Sequence, residues 1–367
     1  MADLGNPTDK TIRILVAEWA KDRVAPQQCE ELIALLINLA RGARVITSSG
    51  RLHSGYARSE NLIEELVNHL RPHRRQGEIL GTGWRLERYL GRGSYGEVWL
   101  GLNEDFPAPR AFKFFTTPCK QSLTSIRREK ANLANVLQRL GRHPNIVEFI
   151  DVANDDHGAF AVLEYVGGGS LEDWIREEPS KREVLEKDEV IRGIIAGLAR
   201  AHSQGIYHCD LKPANVLLTD GPWPQPKIAD FGLATVASPI TPAPPPLSSG
   251  GPVGTAMYLP PEADDGLHPR NPAQDDVFAV GVIWYQLVVE RIERPPYNFA
   301  ERLETHQLDP HRIGLIARCL AEPNRRFRNA QELEEMLQGV EALECESPSG
   351  CFNVHPLLRE YLARVEG

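Results

Sequence analysis

No stretch of the 367-residue chain approaches the roughly 18 to 20 consecutive apolar residues of a membrane span. The start, "MADLGNPTDK", lacks the basic opening and apolar core of a secretory signal. Cysteine is scarce: Cys29, Cys119, Cys209, Cys319, Cys345 and Cys351 lie scattered, with no pair at zinc-ligand spacing. Cys345 and Cys351 could close a small loop, but two reduced thiols in a polar tail is the preferred reading. Together these absences favour a cytoplasmic protein without membrane contact. A basic surplus is missing too. The net charge is −9, and residues 1–80 hold 11 Lys and Arg against 10 Asp and Glu, so the acidic excess lies beyond them. An acidic body argues against a nucleic-acid partner. The basic run "RPHRR", Arg71 to Arg75, could meet a phosphate or an acidic partner, and a solvated linker is the plainer reading. No internal repeat is visible.

What is present falls into unlike parts. Before residue 80, apolar residues recur at helical spacing: Ile12, Leu15, Val16 and Trp19, then Cys29, Leu32, Ile33 and Leu36, then Leu62, Ile63, Leu66, Val67 and Leu70. Residues 1–75 therefore read as a small helical bundle. It is either a packing extension of the next domain or a regulatory module with a protein partner, and both stay open. From Trp84 the period changes. "WRLERYLGRGSYGEVWLGL" alternates around a glycine-rich turn, as strand, loop and strand would. "RAFKFF" is a further strand and "TSIRREKANLANVLQRL" a helix. Beyond about residue 170 helical patterns dominate. One segment, "ASPITPAPPPLSSGGP" (Ala237 to Pro252), is too rich in proline for regular structure.

Gly91, Gly93 and Gly96 spell G-x-G-x-x-G, which alone is weak, since a dinucleotide-binding turn has the same spelling. There a helix follows the glycines; here "EVWLGL" reads as a strand. A strand–glycine–strand hairpin lays backbone amides over phosphates, because glycine has no Cβ in the way. Lys113 lies inside an apolar strand, where an unpaired ammonium is costly, and Glu129 on the next helix is a candidate partner. The strongest signal is His208-Cys209-Asp210-Leu211-Lys212-Pro213-Ala214-Asn215, followed 15 residues later by Asp230-Phe231-Gly232. Phosphoryl transfer needs an acceptor for the attacking hydroxyl's proton and oxygen ligands for magnesium. Asp210 suits the first need, and Asn215 and Asp230 the second.

This ordered set resembles the protein-kinase signature, over about Trp84 to Val340. The resemblance implies an α+β, bilobal protein-kinase fold, with a β-rich N-lobe (84–166), a helical C-lobe (167–340) and a tail (341–367). It implies ATP and Mg2+ as cofactors and a protein substrate. By the same resemblance Asp210, Lys212, Lys113 and Glu129 are catalytic. Nucleotide contacts fall to Gly91, Arg92, Gly93, Ser94, Tyr95, Gly96 and Val98, to Ala111, Lys113, Leu163, Glu164 and Val166, and to Asn215, Leu217 and Asp230. Leu163 takes the gatekeeper position, and Glu164 and Val166 would offer backbone groups to adenine. "HPNIVEF" resembles the turn into the next strand, and "GTAMYLPPE" the end of an activation segment. Asp276 resembles a buried aspartate that steadies the catalytic loop, and Arg326 the partner of Glu262. Lys212 and Thr255 fit the serine/threonine class rather than the tyrosine class. Small-molecule kinases lack the Glu262 motif.

Three features depart from the family's pattern. Cys209 replaces the arginine before the catalytic aspartate, placing the chain with the non-RD type. The first half of the activation segment is proline-rich, and the stretch from Trp284 to Cys319 is short. The competing expectation is a pseudokinase scaffold acting through residues 1–75. The presence of Lys113, Asp210, Asn215 and Asp230 together weighs against it.

Overall fold

The computed structural model describes residues 74–93, 96–115, 139–155, 158–177, 185–231, 235–236, 255–263 and 271–346. The chain divides into two units, residues 1–75 with 247–256 and residues 76–246 with 257–367. Almost all of the first lies outside the described residues, including the three expected N-terminal helices. So does nearly all of the helix expected over "TSIRREKANLANVLQRL". The second unit is built of a sheet and a group of helices.

Its first half holds β1 (Arg85–Gly93), β2 (Gly96–Leu102), β3 (Arg110–Phe115), β4 (Phe149–Asp155) and β5 (Gly158–Glu164). They form one antiparallel sheet in the order β1-β2-β3-β5-β4. Alternation decides which face each residue takes. Trp99 pairs with Phe112, Phe112 with Val162, and Phe114 with Phe160. These side chains join Leu80, Leu86 and Tyr89 in one aromatic core. Phe112 and Phe160 lie 6.0 Å apart and Phe114 and Phe160 5.2 Å apart, at tilted angles that suit ring quadrupoles. The opposite face carries the residues singled out by sequence. Val98 is in register with Lys113, and Ala111 with Leu163, so all four side chains point away from the aromatic core. Two glycines let the strands close up. A Cβ on Gly96 would sit 1.8 Å from the Phe114 carbonyl oxygen, and one on Gly101 2.3 Å from the Phe112 ring.

The second half is helical: α1 (Leu171–Arg176), α2 (Lys187–Ser203), α3 (Pro272–Val289), α4 (Phe299–Thr305), α5 (Pro310–Leu320) and α6 (Ala330–Glu346). Ser170 opens α1 with a reciprocal capping box to Asp173. Asn271 and Asp309 cap α3 and α5, each with proline at the first helical position. Helix α3 is buried on every side, hence its strongly apolar sequence. Around it, α2, α5 and α6 turn one apolar face each into a single large core that includes Ile194, Leu198, Trp284, Ile316 and Phe327. The short stretch noted after Trp284 holds only the seven-residue α4 before α5 begins.

Two further two-stranded antiparallel pairs follow: β6 (Ile206–Tyr207) with β9 (Thr235–Val236), and the hairpin of β7 (Val216–Leu218) with β8 (Pro226–Ile228). The sheet is stitched to β8. Asn145 donates Nδ2–H to the Pro226 carbonyl (3.0 Å), and its own carbonyl accepts the Ile228 N–H (2.8 Å). Helix α2 approaches this seam through Gly193 and Gly197, where a Cβ would meet Asn145 atoms at 2.6 and 2.8 Å. A β-rich half joined to a helical half fits the bilobal kinase fold expected from sequence.

Candidate active site

The loop between β6 and β7 supplies the densest group. Asp210 is buried, and its Oδ2 accepts from Lys212 Nζ at 2.9 Å and Asn215 Nδ2 at 3.3 Å. Asn215 Nδ2 also donates to the Asp210 carbonyl (2.8 Å). A 3-10 turn, Pro213–Asn215, folds the chain back so that Asn215 reaches Asp210. Asp210 Oδ1 takes no hydrogen bond among the described residues.

Asp276, on the first turns of α3, shapes this loop from beneath. It is 1% exposed, a carboxylate in a place where an unpaired charge would be very costly. Three donors satisfy it: His208 N–H (2.7 Å) and His202 Nε2 (3.0 Å) at Oδ2, and Cys209 N–H (2.8 Å) at Oδ1. Cys209 holds φ at +64°, a conformation an L-residue reaches at a cost of about 1–3 kcal/mol. Asp276 therefore offsets strain at the position directly before Asp210.

Asp230 arrives from the far side. His208 donates Nε2–H to the Ala229 carbonyl (2.9 Å), and Ala229 N–H bonds the Asn215 carbonyl (2.8 Å). Phe231 packs its ring 4.8 Å from that of His208. Asp230, also left-handed at φ +60°, turns its carboxylate toward the sheet and pairs there with Lys113 Nζ. Lys113 is 7% exposed. The bond joins residues 117 positions apart and links the two halves across the cleft.

Of the residues named from sequence, the structure thus brings together Lys113, Asp210, Lys212, Asn215 and Asp230. Val98, Ala111 and Leu163 share the sheet face of Lys113. Gly91 is at φ +150° with open space around it. Glu129, Ser94 and Tyr95 lie outside the described residues, and Arg92, Gly93 and Thr255 are described in their backbone alone. The partner expected for Lys113 was Glu129, and the described partner is Asp230. Glu164 donates its N–H to the Glu148 carbonyl (2.9 Å). Its carboxylate accepts from Lys227 Nζ (3.0 Å) and Glu148 N–H (3.1 Å). Arg326 meets Glu262 at 2.7 Å and is itself 3% exposed.

His202, Lys227 and Asn145 carry no functional motif in the sequence. Only Asn145 had a local signal, within "HPNIVEF". Nearby, His143 accepts the Asn145 N–H (3.2 Å), and burial, with Arg200 and Lys227 adding to it, holds its pKa below the ordinary histidine value.

Magnesium asks for hard oxygen donors, and the site fits. With Nδ2 committed to Asp210, Asn215 offers its Oδ1, and Asp230 offers a carboxylate.

The family described as protein kinase domain matches residues 84–347. The serine/threonine-protein kinase Pkn1 of Myxococcus xanthus is 32% identical over 229 residues, which is 62% of this chain and 32% of that protein. The serine/threonine-protein kinase PkaA of Streptomyces coelicolor is 30% identical over 263 residues, 66% of this chain and 47% of that protein. The serine/threonine-protein kinase PknL of Mycobacterium tuberculosis is 32% identical over 221 residues, 58% of this chain and 51% of that protein. The chain thus spans about a third to a half of the length of these relatives.

Proposed function

The chain belongs to the protein kinase family, and we propose that it transfers the γ-phosphoryl group of ATP to serine or threonine hydroxyls of a protein substrate. The observation that carries this reading is the meeting of Asp210, Lys212 and Asn215 in one loop opposite the Lys113–Asp230 pair.

In the mechanism, adenine stacks against the sheet face that holds Val98, Ala111 and Leu163, over Leu217. Its edge bonds to the backbone at Glu164 and Val166. The glycine-rich hairpin from Gly91 to Gly96 covers the phosphates, and Lys113 steers the α- and β-phosphates once they compete for it with Asp230. Asn215 Oδ1 and Asp230 would hold magnesium, which when bound neutralises charge between the β- and γ-phosphates. The substrate hydroxyl docks at Asp210 Oδ1, which orients it and takes up its proton. Lys212, already anchored on Asp210 Oδ2, sits where it stabilises negative charge on the phosphoryl group in flight.

Cys209 provides no cation for a phosphate on the loop that follows Asp230. Phosphorylation of Ser238, Thr241, Ser248 or Ser249 then adds little to ordering the site. Cysteine usage and the absence of a membrane-crossing helix among the described residues support a cytoplasmic setting. Residues 1–75 would bind a protein partner. The test of the catalytic reading is γ-phosphate transfer to a generic basic protein by wild type and by Asp210→Ala. Equal label in both, or none with wild type, overturns it.

A further inference from the structure

His202 takes no part in the chemistry above, yet both of its ring nitrogens are committed. It lies in the last turn of α2 with its side chain 1% exposed. Its Nδ1 accepts the N–H of Ala330, the first residue of α6, at 3.0 Å. A nitrogen that accepts cannot carry the proton, so the proton sits on Nε2. The contact of Nε2 with Asp276 Oδ2 (3.0 Å) is therefore an N–H donated by a neutral ring. It is not an ion pair. The centroid of the ring lies 5.3 Å from that of Tyr207 in an edge-to-face arrangement.

We propose that His202 is a positioning residue for phosphoryl transfer: the start of α6 fixes its tautomer, and that tautomer aims Asp276 at the loop before Asp210. The proposal rests on the kinase reading for its catalytic consequence and on hydrogen bonding alone for its structural part. Asp276 is the intermediary. One of its oxygens serves two donors, His202 Nε2 and His208 N–H, while the other holds the Cys209 N–H in its left-handed turn. A carboxylate with three donors has one orientation. With two it can rotate about its last bond, and the strained turn at Cys209 then has an alternative. Relaxation there displaces Asp210, the next residue, whereas Lys113, Ala111 and the sheet are untouched. The loss belongs in turnover and not in nucleotide affinity. The link also makes the last described helix an input to the catalytic loop, through a bond between residues 128 positions apart.

Two substitutions in the full chain separate the ring's two functions. His202→Gln keeps an N–H that can reach Asp276 and gives up the acceptor for Ala330. His202→Asn keeps an acceptor near Ala330 and gives up the donor to Asp276. The expected result is kcat within about threefold of wild type for His202→Gln and a loss of about tenfold for His202→Asn, a 1.4 kcal/mol rise in barrier, with KM for ATP unchanged in both. Hydrogen exchange should show faster exchange at the His208 and Cys209 amides in His202→Asn than in His202→Gln. Equal kcat and equal exchange in two folded variants overturn the proposal and leave the kinase reading standing. If wild type transfers no phosphate, the kinase reading fails, and the exchange difference still decides the structural part. If neither variant folds, nitrogen-15 spectra of the wild-type histidines decide it, and a proton on Nδ1 of His202 sinks it.

Discussion

Lys113 and Asp230 form an ion pair that spans the cleft between sheet and helices at the reacting end. Each would bind something else during turnover: Lys113 a phosphate, Asp230 a metal. Their mutual bond keeps two charges satisfied until the nucleotide arrives, which avoids the penalty of an unpaired ammonium on an apolar strand. Lys113→Met should lower phosphate transfer by at least about 100-fold, since it removes positioning of the transferred group, while leaving the melting temperature within a few degrees of wild type. A radiolabel assay beside a thermal melt checks both. Near-normal turnover would show that Lys113 does not hold the phosphates. His143 offers a different test. Its folded pKa lies below its unfolded value of about 6.5, so folding favours the neutral ring. The stability it contributes is complete above that pH and declines as pH falls below it, because the unfolded chain then binds the extra proton. Urea unfolding at pH 7.5 and 5.5 should show a larger acid loss for wild type than for His143→Gln.

At the scale of elements, helix α3 is the axis on which the site is hung. Its first turns bring Asp276 to the catalytic loop, and its far end holds Gln286, a fully buried amide that accepts the Tyr258 hydroxyl at 3.1 Å and donates to the Glu293 carbonyl at 2.9 Å. Burial pushes the Tyr258 hydroxyl up to about 12, so it remains a donor to Gln286 throughout the working range. The middle of α3 touches α5 where a Cβ on Gly281 would stand 2.7 Å from Cys319 Cβ. Replacing a helical glycine gains about 1 kcal/mol in propensity, but overpacking costs about 1–3 kcal/mol. Gly281→Ala should thus be net destabilising, and a chemical denaturation curve shifted to higher midpoint would contradict the close crossing.

These elements differ in how far the sequence announced them. The β1–β2 hairpin and the loop from His208 to Asn215 were legible because their chemistry is local. Glycine spacing, strand alternation and Asp210-x-Lys212-x-x-Asn215 all fit within a few residues. Lys113 could be read as buried and in need of an acid; the expected partner, Glu129, lies outside the described residues, and the described one, Asp230, lies 117 positions away. His202 was illegible for the same reason in stronger form: its partners come from α3 and from the start of α6. A histidine near the end of an amphipathic helix has no pattern of its own.

Taken as a whole molecule, the chain sets 75 residues before its catalytic region, and Cys209 removes the usual cationic partner of a loop phosphate. On the proposed reading, control would come from elsewhere. Deleting residues 1–75 should change partner binding or regulation more than intrinsic kcat on a peptide, measured side by side with the full chain. A truncated protein that does not fold would make the segment part of the catalytic unit instead.

Among the described residues, the sheet and the helices have separate apolar interiors, one centred on Phe112 and Phe160, the other on α3, with no residue in common. Polar bonds join them: Asn145 to β8, Lys227 to Glu164, Lys113 to Asp230. Cooperativity in unfolding comes from shared burial, and little is shared among the described residues. A calorimeter should therefore record two heat-absorption peaks, the smaller for the sheet, with Trp99 and Trp284 as built-in fluorescent reporters of each. A nucleotide held by both halves should draw the two peaks together into one.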